Sequence, residues 1–142
     1  MSGAPAGTYL AFDFGTQSIG IAAGSAGQGL ATPLAAVRVF RSGPDWSAID
    51  KLVREWQPAG FIIGMAWNTE GQDTAMSRKA RKFGNRLRER YNLPIHLVDE
   101  TLSTEAARQA LRDSRPERRR RKEEIDSTAA ALILESFFEH AG

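Results

Sequence analysis

The stretch FDFGTQSIGIA, residues 12–22, sets one acid, Asp13, between two aromatic rings at the end of an apolar run, then follows it with Gly15, Thr16 and Ser18. Together with the preceding TYLA it reads as a strand, and SIGIAAG reads as a second strand, reached through a tight turn at Gly15 to Gln17. LATPLAAVRVF supplies a third. Pro33 puts the start of that strand at a sheet edge, because proline has no N–H to give to a ladder. A three-strand meander therefore opens the chain.

Beyond it the pattern alternates. Ile49, Leu52, Val53 and Trp56 fall at i, i+3, i+4 and i+7, one face of a helix that opens near Asp45 and stops at Pro58-Ala59-Gly60. On that spacing Trp56 belongs to the core. GFIIGMA is a short, fully buried strand, and Met76, Ala80, Phe83 and Leu87 mark the apolar face of a helix over 72–91. IHLVDE is another buried strand, on which His96 is expected to be hydrogen-bonded. Ser103 or Thr104 can N-cap a following helix with Glu105 in its first turn, and a last helix over 122–139 buries Ile125, Ala129, Leu132, Ile133 and Phe137. Hairpin-linked strands followed by strand–helix alternation imply an α/β fold, a five-stranded mixed sheet with helices on both faces. In such sheets ligands gather at the carboxyl ends of the strands.

Bulk properties agree. A chain of 142 residues, 42% hydrophobic and 25% charged, suits a single domain, here 8–140, after a disordered 1–7. The absence of cysteine removes disulfides and thiolate metal sites and makes a reducing compartment the default. No leader pattern opens the chain and no apolar run approaches the roughly 20 residues that span a bilayer, so the expectation is a cytoplasmic protein with no membrane partner. The formal charge is only +2, yet Arg78, Lys79, Arg81, Lys82, Arg86, Arg88 and Arg90 form one basic group and RPERRRRKEE, residues 115–124, another. Such local density can neutralise phosphates whatever the total, although a run of this kind also simply solvates a helix face.

Three acidic stretches, remote in the chain, can converge: Asp13 ends the first strand, Asp99 and Glu100 end the last, and Asp126 opens the final helix. A buried carboxylate costs several kcal/mol without compensation, so acids at strand ends serve as caps or as metal ligands. With no cysteine, and His96 and His140 isolated, a carboxylate cluster favours Mg²⁺ or Mn²⁺ over zinc. Two such ions could activate water and stabilise the leaving oxygen of a phosphodiester. The arginines would then hold a polyanionic substrate.

FDFGTQSIGIA, GMAWNTEGQDT, VDETLST and IDSTAAALILESFF, in this order and across nearly the whole chain, resemble the YqgF family of RNase H-like proteins, known as pre-16S rRNA processing nucleases and as Holliday-junction resolvases. The resemblance implies an RNase H-like fold and a metal site of Asp13, one acid of the Asp99-Glu100 pair, with Glu100 favoured, and Asp126. It implies as substrate structured RNA, namely the 5′ end of pre-16S rRNA during ribosome biogenesis, or branched DNA, cut by a monomer or weak homodimer. Gln17 and Ser18 stand where the family commonly has basic residues, Thr101 where an arginine follows the acids, and Ala66 where proline is common. These departures leave the carboxylates intact and bear on substrate grip.

Two rivals share the same residues. Asp-x-Gly-Thr-x-Ser also resembles the phosphate loop of actin-like ATPases, but those enzymes clamp the nucleotide between two related domains and this chain has no second copy. The other rival is a non-catalytic nucleic-acid-binding factor in ribosome assembly or transcription, whose acids serve structure. Candidate nucleic-acid contacts are Thr16 and Ser18, equally able to stabilise their turn; Trp67, after the fourth strand; Arg78, Arg81 and Lys82; and Arg119, Arg120 and Arg121, suited to phosphates rather than base edges. Gly64 and Gly71 are expected to permit backbone geometry.

Overall fold

The computed structural model describes residues 7–28, 31–100 and 122–141, the last of these without the side chains of residues 122–126, 140 and 141. The meander forms as expected: β1 (Thr8–Phe14) pairs antiparallel with β2 (Ser18–Ser25), and β2 antiparallel with β3 (Ala31–Phe40). A two-residue strand, β4 (Gly43–Pro44), then pairs with Val39 and Phe40 and precedes helix α1 (Trp46–Trp56). β5 (Gly60–Met65), helix α2 (Ala75–Tyr91) and β6 (Ile95–Asp99) follow, and helix α3 (Lys122–Ala141) closes the chain. The sheet thus has six strands, in the order β4-β3-β2-β1-β5-β6, not five. The addition is β4, too short to leave a periodic signal.

β5 lies parallel to both β1 and β6, so the carboxyl ends of β1, β5 and β6 share one end of the sheet. Val39 N–H donates to the carbonyl of Gln17 at 2.9 Å, which brings the end of β3 to the β1–β2 turn as well. That turn is tight. A Cβ on Gly15 would stand 2.6 Å from the Ser18 carbonyl oxygen. Pro33 lies on the part of β3 that β4 does not cover, as its chemistry requires.

The sheet separates two apolar clusters: β1, β2 and β5 are buried between them, whereas β3 is largely open and β6, expected to be buried, is half-buried because it lies at the sheet edge. Leu10, Phe12, Ile19, Ile21, Val37, Phe61, Ile63 and Met65 pack toward Ile49 of α1 and Ala80, Phe83 and Leu87 of α2. Tyr9, Ala11, Ala22 and Ile62 pack toward Ala130, Ala131, Ile133, Leu134 and Phe138 of α3. α3 therefore turns inward a stripe displaced from the expected one: Ala129 and Ile133 are buried, whereas Leu132 and Phe137 are half-buried. Ser127 pins the start of this stripe, donating to the Leu34 carbonyl at 2.6 Å and accepting from Ile21 N–H at 3.3 Å.

α1 is capped by Asp45, whose carboxylate accepts from Ala48 N–H at 3.3 Å. Ile49 alone of its residues is fully enclosed; Trp56, expected in the core, is 36% exposed. The helix ends there, at Gln57 in a left-handed cap, so its last turn overhangs the core. Trp46 is the inward tryptophan instead, stacked on Phe83 with ring centres 5.7 Å apart. His96 packs beside the rings of Phe137 and Tyr9, with ring centres 5.0 and 6.2 Å away, and burial lowers its pKa. Among the described residues no helix is long and apolar enough to cross a membrane.

α1 and α2 are tied by Asp50, which accepts from Arg90 at 2.9 and 3.1 Å and from the Tyr91 hydroxyl. The hydrogen bonds from Arg90, then Tyr91, hold the Asp50 carboxyl down at about 2. A carboxyl depressed by folding adds stability above its unfolded pKa of about 4, and that contribution is lost as pH falls through the folded value. The stability gap between wild type and Asp50→Asn should therefore be full at neutral pH and shrink between about pH 4 and pH 2. Urea titrations across that range measure it.

Candidate active site

Strand alternation decides which acids can meet. Side chains of Tyr9 and Ala11 face α3, so Asp13, two residues further along, faces α3 too. On β6, Ile95 and Leu97 belong to the α1/α2 side and Val98 to the α3 side. Glu100 consequently shares the face of Asp13, while Asp99, at the last residue of β6, takes the opposite face and is exposed. The preference for Glu100 over Asp99 thus has a geometric basis: the two differ by one step of a two-residue period.

Between β1 and β6 runs β5, and the residue on this face at this level is Gly64. It pairs with Val98 and lies one step beyond the Phe12–Ile63 couple, beside Asp13. A Cβ on Gly64 would come within 2.5 Å of Ile133 Cδ1 and 3.2 Å of both Cβ and Oε2 of Glu100. The glycine's function is therefore space, not an unusual φ. By contrast Gly71, with φ +78°, meets the backbone need expected of both. Glu100 is 6% exposed, and its N–H continues the ladder to the Met65 carbonyl at 3.0 Å. Its side chain, just past the end of β6, thus lies over Gly64 of the middle strand, in the space that Ile133 also enters.

Other predicted residues occupy distinct positions. Thr16 is exposed on the β1–β2 turn, and Ser18 is buried at the start of β2. Trp67 is half-buried after β5 and donates from Nε1 to Asp73 at 3.1 Å. Asp73 also accepts from Ser77 at 2.9 Å and from Arg81 at 3.1 Å; the hydrogen bond from Arg81, then that from Ser77, lowers its pKa. Arg81 is thereby committed to an ion pair, leaving Arg78 and Lys82 exposed on α2. A reciprocal capping box fixes the opening of α2: Ser77 N–H donates to Thr74 Oγ1 at 3.0 Å, and Thr74 N–H to Ser77 Oγ at 2.7 Å. Thr74 Oγ1 in turn donates to the carbonyl of Ala66 at 2.8 Å, tying down the segment where proline is absent. α2 packs on the face opposite Glu100, so its basic residues and the acids do not share one surface of the sheet.

Position 126 lies in α3, but the Asp126 side chain is outside the described residues, as are Thr101, Ser103, Thr104, Glu105, Arg119, Arg120 and Arg121. Among the described residues no three potential ligands form a metal-holding group. Reading the sequence missed Ser127 and gave Gly64 the wrong reason. A small residue in the middle of an apolar strand, aligned with acids ending the strands on either side, was the available signal.

Residues 7–140 match the family model RuvX, described as Holliday junction resolvase. The chain belongs to the RuvX family. Relatives titled "Putative pre-16S rRNA nuclease" from Escherichia coli O157:H7 (strain EC4115 / EHEC) and Escherichia coli O7:K1 (strain IAI39 / ExPEC) are 45% and 44% identical to it over 133 residues, covering 94% of this chain and 96% of theirs. In fold this RuvX chain is similar to Thermus thermophilus RuvC, solved in complex with a Holliday junction substrate, with TM-score 0.56, 12% identity and 94% of each chain covered. A second Thermus thermophilus RuvC structure gives TM-score 0.53 at 12% identity, covering 94% of this chain and 95% of that one. The RuvX chain therefore has the RNase H-like α/β fold expected of it.

Gly64→Ala should cost about 1–3 kcal/mol by overpacking, read as a lower Tm. Much of the loss should disappear in an Ile133→Val background, which lacks the offending Cδ1. Equal losses in both backgrounds would show that Ile133 is not what the glycine accommodates.

Proposed function

We propose that this RuvX-family chain is a divalent-metal-dependent nuclease that hydrolyses phosphodiester bonds in structured RNA, with pre-16S rRNA the substrate suggested by its relatives. The observation that supports it most is the placement of Asp13 and Glu100 on one sheet face with Gly64 between them. A glutamate this deeply buried is costly unless cations or donors compensate it.

The donor chemistry fits a hard cation. Two carboxylates on one face, with no sulfur ligand in the chain, suit Mg²⁺ or Mn²⁺. Asp13, Glu100 and Asp126 would hold it, and helical spacing supports the third: position 126 lies four and seven residues before Ala130 and Ile133, both buried on the sheet. When bound, one or two such ions supply an activated water and neutralise charge on the leaving oxygen. The chain's own residues do the rest. Asp13 is fixed by its pairing with Gly20 of β2, one residue beyond the last β1–β5 couple, and Glu100 is buried away from bulk water. Thr16, Trp67, Arg78, Lys82 and Arg119 to Arg121 are placed in the proposal as contacts along the nucleic-acid path, with Arg81 steadying Asp73 and Trp67. Residues 8–140 act as one cytoplasmic domain, a monomer or weak homodimer.

Branched DNA is the second reading, favoured by the description of the matching family. Incubating structured RNA and a four-way DNA junction separately with wild type and variants in Mn²⁺ tests both. Asp13→Asn and Glu100→Gln should each lower cleavage on the order of 100-fold or more, whereas Asp99→Asn, on the other face, should stay within about two-fold. Mn²⁺ should raise the Tm of wild type more than that of Asp13→Asn, since a ligand bound by the native state stabilises it. Cleavage of neither substrate by wild type would leave a non-catalytic binding factor in its place.

A further inference from the structure

The face that carries Asp13 and Glu100 continues across the sheet to β3. Val37 and Val39 belong to the α1/α2-side cluster, so Arg38 and Phe40, alternating with them, project on the opposite side, that of the acids. Register agrees: Arg38 lies directly across from Ser18, and Asp13 directly across from Gly20, two residues on. The irregularity between β2 and β3 falls between Ile19 and Ile21, where the facing β3 residues are Val37 and Leu34, and so leaves the 37–40 alternation untouched. Strands about 4.8 Å apart set β3 roughly 10 Å sideways from β1.

Phe40 is 47% exposed, more than any other large hydrophobic side chain among the described residues. Arg38 is exposed as well, its guanidinium carbon 5.8 Å from the centre of the Phe40 ring, and no ion pair to it occurs among the described residues. The ring is not a loose tip. Phe40 pairs with Gly43 of β4, and the neighbouring Val39 is tied to the β1–β2 turn. An exposed aromatic ring with a cation over one of its faces, on a paired strand, has the two elements that single-strand binders combine: the other face as a platform for a base and a charge for the phosphate.

We propose that Arg38 and Phe40 form a positioning site for single-stranded RNA flanking the cleavage point, Phe40 stacking one base and Arg38 contacting a backbone phosphate. The cleavage point itself rests on the nuclease reading above. Stacking requires only a π-face, so the site grips without reading sequence and sets which phosphate reaches Asp13 and Glu100.

The test is binding of a labelled single-stranded RNA oligonucleotide to the Asp13→Asn protein at a series of KCl concentrations, with cleavage by the corresponding variants of the otherwise wild-type chain measured separately. Phe40→Ala and Phe40→Leu should each weaken binding about ten-fold, Phe40→Trp should retain it, and all three should keep the parental Tm. Arg38→Ala should reduce the slope of log affinity against log salt by about 1, and Arg38→Lys should preserve it. Unchanged affinity and slope in the double alanine variant would overturn the proposal, as would binding of a DNA strand but not RNA, or a loss that tracks dissociation of a dimer in sedimentation, which would make a second copy the occupant. Weakened binding with no cleavage by any form would retain this surface and remove the nuclease reading. Intact cleavage with variant-insensitive binding would do the reverse.

Discussion

A carboxylate laid across a glycine is the constraint on which the rest of the molecule turns. Glu100 can lie between sheet and helix only because Gly64 offers no side chain, and the same vacancy admits Ile133 of α3. Core packing and acid placement are thus one arrangement. Ser127 seats the beginning of α3 on β2 and β3, Ile133 seats its middle on β5, and the acids are compressed into the remaining space at the strands' carboxyl ends. Interiors pack at crystal-like density, so a change in one of these contacts moves the others.

The two faces of the sheet divide the work. On one, α1 and α2 are locked by Asp50, Arg90 and Tyr91, by the Trp46–Phe83 stack and by the capping box of Thr74 and Ser77. Their contribution is rigidity. On the other, β1, β2 and β3 present Asp13, Ser18 and Arg38 in adjoining rows, and β6 adds Glu100 from the far side of β5. Catalytic groups set on paired strands are positioned more tightly than groups on loops.

Most of the architecture was legible because its signals are local and strong. FDFGTQSIGIA gave two strands and a turn, and the i, i+3, i+4 pattern gave α1 and α2. Other features were hidden for identifiable reasons. β4 has two residues and no period. Trp56 satisfied the helical spacing, yet a stripe drawn from spacing does not say where the core ends, and α1 extends beyond it. Asp99 and Glu100 could not be separated by composition, since β6, with an apolar cluster against each face, shows no alternation of polar and apolar residues before them. Once Val98 and Leu97 are assigned to opposite clusters, Glu100 falls on the face of Asp13 and Asp99 on the other. Arg38 and Phe40 went unnoticed inside VRVF, whose alternation marks an outward face but does not say that the acids share it.

Pro33 has an effect at longer range. β4 pairs with only Val39 and Phe40 of β3, and the open strand margin left before them invites another polypeptide to add itself to the sheet. An imino acid there withholds one of the donors that an incoming strand would need, and it stiffens the chain at the same place. The uncovered first part of β3 is thereby discouraged from self-association, while β4 closes the margin at Val39 and Phe40.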